Sequence, residues 1–232
     1  LTGPFEGRKI PPRMNPQTEG PEVRLWYRKE GGAWYGVAER DGRLVATSVA
    51  ASQEVASRIL LDCLPRNACP IRGEGESGFA DATVGMLAAI ETGDESGKAF
   101  ELDPVLLPEP TASVFRLVAA IPMGYAASYG GVARAAGTIA REVGRLMMNN
   151  PLYPIVPCHR VVGSDYSLVG YRGATSGPDL DDKLARLRTE ARGADSEKTL
   201  EGALGLAVFP VEWVIARVER ERRGEGRQMS LW

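Results

Sequence analysis

One histidine and three cysteines are all that this chain of 232 residues provides as soft metal ligands. That scarcity argues against a tetrahedral zinc site, which needs four such ligands close together, so no structural metal is expected. Three cysteines are also too few for a disulfide framework. Cys63 and Cys69, separated by Leu-Pro-Arg-Asn-Ala, could close a small loop in a cytosol that tolerates disulfides or stand as two buried thiols, and the spacing decides neither. No apolar run approaches the ~20 residues that span a bilayer. The opening LTGPFEGRKIPPRMNP has no apolar block of the kind that directs export, so a cytoplasmic protein is expected. A global charge surplus is missing too. The 28 basic and 30 acidic residues leave a net charge of −2, and any nucleic-acid binding has to rest on a local patch. The basic residues are overwhelmingly arginine, which suits phosphate and base contacts, although GC-rich coding yields the same bias. What remains, 44% hydrophobic and 25% charged residues, describes an ordinary globular protein with length for one large domain or two small ones.

Residues 1–21 hold several prolines and glycines without apolar periodicity and read as a flexible arm. Short aromatic and β-branched runs follow at Val23–Tyr27, Ala33–Val37 and Arg43–Thr47, punctuated by Gly31-Gly32 and Asp41-Gly42. Such pairs favour tight hairpin turns, so a three-stranded antiparallel meander is expected. Helical spacing appears at Val55, Ile59, Leu60 and Cys63 behind a candidate cap at Ser52, and again at Val84, Leu87, Ala88 and Glu91. The proline-bearing segment 103–110 reads as a linker. Beyond it Val114, Leu117, Val118 and Ile121 form an apolar stripe ahead of Pro122. Helices over 128–136 and 138–149, joined at Gly137 with Thr138 as N-cap of the second, have the spacing of a helix-turn-helix; such a unit either docks on DNA or is simply two packed helices.

The chemistry concentrates in Pro157-Cys158-His159-Arg160, where the only histidine stands beside a cysteine. The thiolate is the reactive form of cysteine, and a neighbouring imidazole raises its share at neutral pH. Side chains of adjacent residues point apart, so His159 would act through a water or across a sharp turn. A buried structural cysteine beside a surface histidine is the plain alternative.

Around this pair an ordered set of short motifs resembles the O6-alkylguanine-DNA alkyltransferase family, from Thr111 to Glu190. The motifs are Ile121-Pro122-Met123-Gly124, Ser128-Tyr129, Arg141-Glu142-Val143-Gly144, Asn150-Pro151, Pro157 to Val161 and Gly170-Tyr171. The resemblance implies an α/β N-terminal domain over 22–105, RNase H-like, with a small antiparallel sheet and helices and serving as scaffold. It implies a mainly α C-terminal domain over 106–195 with a winged-helix-like helix-turn-helix that binds DNA. It further implies direct-reversal repair of double-stranded DNA: Cys158 displaces guanine from an O6-alkyl carbon after the nucleotide is flipped out, without a cofactor, once per molecule, as a monomer. His159 would take the thiol proton, with Glu190 orienting it. Asn150 would tie the recognition helix to the active-site segment, or merely end that helix, and Tyr129 would face the leaving base. Arg141 would fill the vacated stack, or contact a phosphate, while Ser128, Thr138, Gly144 and Arg145 meet the DNA. Met147, Pro157, Val161, Tyr171, Arg172 and Gly173 would line the pocket. Arg172 stands where the family has a small residue, so tolerance for bulky alkyl groups is an open point. Two other classes compete: a non-catalytic alkyltransferase-like lesion-binding protein, which would lack the cysteine, and a Cys-His hydrolase.

Residues 196–232 extend past this resemblance. Val211, Val214, Ile215 and Val218 recur at helical spacing before the charged run 219–223, which predicts an amphipathic helix packed on the body. Gly224 and Gly226 would then release a tail in which Gln228, Leu231 and Trp232 resemble a shortened sliding-clamp docking peptide, or fold onto their own domain.

Overall fold

The computed structural model describes residues 20–171, 173–203 and 205–223. The expected arm up to residue 19, Arg172, and the tail residues Gln228, Leu231 and Trp232 lie outside the described residues.

The meander forms as β1 (Glu22–Glu30), β2 (Ala33–Arg40) and β3 (Arg43–Ala50), each antiparallel to the next. Both turns need left-handed backbone at two successive residues, and Gly31, Gly32, Asp41 and Gly42 all have φ between 53° and 86°. Ser52 caps α1 (Gln53–Cys63) by accepting from Val55 N–H, and α2 (Gly78–Glu91) packs on the same sheet. One strand was not anticipated: β4 (Cys69–Arg72) joins β1 in parallel, giving the order β3-β2-β1-β4. Cys63 thus closes α1 and Cys69 opens β4.

The connection 103–110 is packed rather than loose. Asp103, 1% exposed, receives the N–H groups of Val105 and Leu106 and the Arg40 guanidinium, while Leu106 and Leu107 enter the core. The halves meet again where Thr47 of β3 bonds to the carbonyls of Pro151 (2.8 Å) and Tyr153 (2.7 Å).

In the second half α3 (Thr111–Ala119) buries its apolar stripe, β5 (Tyr125–Ser128) follows, and α4 (Tyr129–Ala135) and α5 (Ala140–Met148) make the helix-turn-helix. Ser128 caps α4 by accepting from Gly131 N–H at 3.0 Å. The expected cap at Thr138 is corrected. Position N-cap of α5 is Ile139, with no side-chain cap bond, because Thr138 is already used to end α4. Its N–H bonds to the Ala133 carbonyl, that of Gly137 to Arg134, and Gly137 takes φ +66°. This paired closure at a left-handed glycine is a Schellman motif, and it moves the cap of the next helix one residue on.

The second half is less purely helical than its periodicity suggests. β5 pairs with β6 (Val161–Val162) in parallel and with β8 (Leu206–Pro210) antiparallel, and β7 (Lys198–Leu200) completes a sheet of order β6-β5-β8-β7. Helices α6 (Pro178–Glu190) and α7 (Val211–Arg222) cover it. Val211, Val214 and Val218 of α7 are buried, the first two clustering with Leu187 of α6. Tyr166 wedges edge-on against Phe209 and Trp213, with ring centroids 4.8 and 5.4 Å away. The ion pairs Asp181–Arg222 (2.6 Å) and Arg188–Glu219 (3.0 Å) clamp α6 to α7. The described residues are mixed α/β with two small sheets, and none of their helices is long and apolar enough to cross a membrane.

Candidate active site

Cys158 opens a single 3-10 turn, Cys158–Arg160, that follows Pro157 and leads into β6. The tight turn sends successive side chains in different directions, which splits the site into a front and a back.

In front lies a cavity of about 460 Å³. Cys158, 7% exposed, lines it together with Tyr129, Met147, Tyr171 and Gly173, and its wall includes Arg141, Gly144 and Met148 of α5. Met148 and Val169 are exposed apolar groups on this wall. The second helix of the helix-turn-helix therefore forms one side of the entrance to the thiol. Two expected lining residues are elsewhere: Pro157 faces the back, and Val161 has no exposure at all. Tyr129 donates to the Val169 carbonyl at 3.4 Å, and burial, then the nearby Cys158, push its pKa up, so it stays a donor.

Behind the cysteine lies a network of charges. His159 Nε2 meets Glu190 Oε1 at 2.8 Å, while Nδ1 is buried with no partner among the described residues. Arg160, 2% exposed, donates from Nε and Nη2 to the two oxygens of Glu190, at 2.8 Å each, and from Nη1 to Glu95 (2.8 and 3.1 Å) and the Ile121 carbonyl (2.7 Å). Burial pushes the Glu190 carboxyl upward, but the bonds from His159 and Arg160 outweigh it and hold it at about 2. Burial drives the His159 imidazole below its usual value, against the pull of Glu190, which favours a neutral ring at rest. No hydrogen bond joins Cys158 to His159 among the described residues, so a water at Nδ1 is the route the geometry leaves for proton transfer. Glu190, at the end of α6, is carried to His159 by that helix.

The other expected residues fall as follows. Asn150, just past α5, donates to the Val156 carbonyl (2.7 Å) and accepts from Leu152 N–H (3.0 Å), clasping the loop that leads to Cys158. Arg141 is exposed in the first turn of α5. Arg145 is paired with Glu142 at 2.5 and 2.9 Å, so its guanidinium would have to change partner to meet a phosphate.

Sequence reasoning missed Lys183. It is fully buried, donating to the carbonyls of Val161 (2.7 Å), Gly170 (3.0 Å) and Val169 (3.3 Å), and its ammonium lies 5.7 and 5.8 Å from the ring centroids of Tyr129 and Tyr171. Burial pulls its pKa down to about 8, with Cys158 acting against that shift. Glu95 was missed too. The one available signal was a lysine on an otherwise apolar face of α6, beside Leu184 and Leu187.

A family model described as the DNA-binding domain of 6-O-methylguanine DNA methyltransferase matches residues 109–192. A Mycobacterium leprae methylated-DNA–protein-cysteine methyltransferase is 37% identical over 124 residues, 53% of this chain and 71% of that protein. A Pyrobaculum aerophilum protein of the same name is 57% identical over 53 residues, 23% of this chain; the chain spans only 36% of that relative's length. Among solved structures, the Mycobacterium tuberculosis O6-methylguanine methyltransferase aligns with a TM-score of 0.45 and 24% identity, covering 75% of this chain and 96% of that one.

Proposed function

The chain belongs to the methylated-DNA–protein-cysteine methyltransferase family, and from that premise we propose that it repairs DNA by direct reversal, moving an alkyl group from O6 of guanine to Cys158. One observation carries the reading: the Cys158 thiol lines a cavity walled by the second helix of a helix-turn-helix. A base inside a duplex cannot reach that thiol, so the nucleotide enters flipped, at a cost of a few kcal/mol. Arg141 fills the gap left in the stack, and Ser128, Thr138, Gly144 and Arg145 meet the DNA, a reading supported by the exposed position of Arg141 on the same wall. His159 accepts the thiol proton through a water, and Glu190 steadies the imidazolium that results. Sulfur then attacks the alkyl carbon in line, the S–C bond forms as C–O6 breaks, and the departing guanine regains a proton. The Tyr129 hydroxyl, which lines the cavity, is the donor for the negative charge that develops on the base, and the buried Lys183 ammonium, 5.7 Å from the Tyr129 ring, adds its positive charge. A thioether has no route back to the thiol here, so each molecule acts once.

The same reading makes the first half an RNase H-like scaffold, supported by an antiparallel meander with a fourth strand parallel to β1. It makes the second half winged-helix-like, and a monomer working in the cytoplasm is sufficient for the reaction. Docking of Gln228, Leu231 and Trp232 on a sliding clamp is a separate proposal that a version ending at Gly226 tests by loss of clamp binding. The lesion-binding alternative is disfavoured by the presence of Cys158.

The test is intact mass after mixing with an O6-methylguanine oligonucleotide. Wild-type protein should gain one methyl group, on Cys158, and stop. Cys158→Ser should bind the same DNA and gain nothing, because an alcohol is a far weaker nucleophile than a thiolate at neutral pH. Repeated turnover, or methylation at Cys63 or Cys69, would sink the reading.

A further inference from the structure

Glu95 lies in the segment after α2, outside the stretch 109–192 that the family model covers, yet it reaches the back of the active site. Both of its oxygens accept from Arg160 Nη1, at 2.8 and 3.1 Å, and Oε2 also accepts from Met123 N–H at 3.1 Å. Lys98 closes on Oε1 at 3.3 Å. From Arg160 the chain of contacts runs to Glu190 and from Glu190 to His159, each link 2.8 Å long.

A charge count gives this chain a purpose. Arg160 and Glu190 by themselves are neutral as a pair, which leaves a protonated His159 without net compensation in a buried site. Adding Glu95 gives the trio one net negative charge, which Lys98, 3.3 Å from Glu95 Oε1, offsets only from the outer edge of the cluster. The other groups around His159 do not supply it. Arg186 and Arg192 line the same cleft and oppose an imidazolium, Tyr153 is a neutral phenol there, and Glu91 is turned to the Tyr153 hydroxyl.

We propose that Glu95 is a positioning residue for the cysteine chemistry: holding the outer edge of the Arg160 guanidinium, it aims Arg160 at Glu190 and offsets its charge, so that Glu190 can support His159 after Cys158 gives up its proton. In the step concerned, the S–H bond breaks, the proton passes to His159, and the sulfur keeps the electron pair. Buried ion pairs often add little stability and are retained for other reasons; here the reason is reactivity. The first half of the molecule thereby takes part in the chemistry and is more than a scaffold.

This rests on Cys158 as the reacting group, and its test is independent of DNA. Iodoacetamide alkylates a thiolate whatever the natural substrate is, so its rate at Cys158, read from the mass of the peptide, is measured from pH ~5.5 to ~9.5. Glu95→Gln should react about tenfold more slowly than wild type at neutral pH, the equivalent of one unit in the base, and the gap should close at alkaline pH, where thiols ionise unaided. Lys98→Gln, which removes the cation on the outer side of Glu95, should react at least as fast as wild type. Urea midpoints measured alongside keep every rate within the folded range. A Glu95→Gln profile that superposes on wild type overturns the inference, and so does a loss of equal size at every pH, which is the mark of a purely structural residue. A wild type that reacts with iodoacetamide but takes no methyl group from DNA would sink the proposed function and leave this inference standing.

Discussion

Lys183→Met is the substitution whose consequences can be worked out furthest. The ammonium of Lys183 has no exposure and is held by three backbone carbonyls, with no carboxylate beside it among the described residues. Burial lowers its pKa from 10.5 to about 8. The folded state therefore binds this proton less tightly than the unfolded chain does. The resulting penalty is fully present below about pH 8 and disappears as pH rises toward 10.5. At ~1.4 kcal/mol per unit, wild type should gain about 2 to 3 kcal/mol from this group between pH 7 and pH 10. Methionine has nearly the same length and does not titrate, so the variant lacks that gain. It also leaves three carbonyls unpartnered, at ~1–3 kcal/mol for each one left dry. Urea midpoints of both proteins at steps of pH give the measurement. The stability difference, wild type minus variant, should grow by about 2 to 3 kcal/mol over that range. Taking the difference cancels Lys98, whose pKa burial also lowers, and Tyr153, whose pKa burial raises, while Tyr129, next to the lysine, is raised out of the range measured. Methyl transfer at neutral pH should fall by about 10²-fold, the typical loss of a preorganised charge-stabilising group. A stability difference that stays constant with pH would refute the reasoning, because it would mean that the lysine is solvated as in the unfolded chain.

Arg141→Ala should slow transfer from duplex DNA far more than transfer from free alkylguanine base, since only the duplex leaves a gap to fill; equal losses on the two substrates would assign Arg141 to the pocket wall instead. On the acid side two groups act together. The unfolded chain protonates His159 first, because burial depresses its folded pKa below 6.5, so stability falls as pH drops below that value. Glu190, held at about 2 against 4.5 when unfolded, contributes stability that is present above 4.5 and lost as pH falls toward 2, about 3 kcal/mol in all. Glu190→Gln should abolish that lower limb in urea titrations, and a variant that keeps it would remove Glu190 as the group responsible.

Local pattern was enough to read the meander, its two turns, the cap at Ser52 and the helices, because alternation, helical spacing and left-handed turn residues act within a few positions of one another. The ordered motifs from Ile121 to Tyr171 were legible in the same way, and with them the thiol, the histidine and the helix-turn-helix. What lay beyond was decided by tertiary contacts. β6, β7 and β8 are two, three and five residues long, too short to show a period, and β8 becomes a strand by pairing with β5 some eighty residues earlier. Thr138 has the chemistry of a cap but was claimed by the closing turn of the preceding helix. Nothing in the local pattern marks Lys183, Arg160 and Glu95 as charges to be taken out of water. Their burial is tolerable only because partners from distant segments converge on them: carbonyls at 161, 169 and 170 for the lysine, and carboxylates 30 and 65 residues away for the arginine. A sequence states which groups can react or carry charge; where those charges are taken out of water, and against what, is settled only when the chain folds, because desolvation and its compensation depend on neighbours in space.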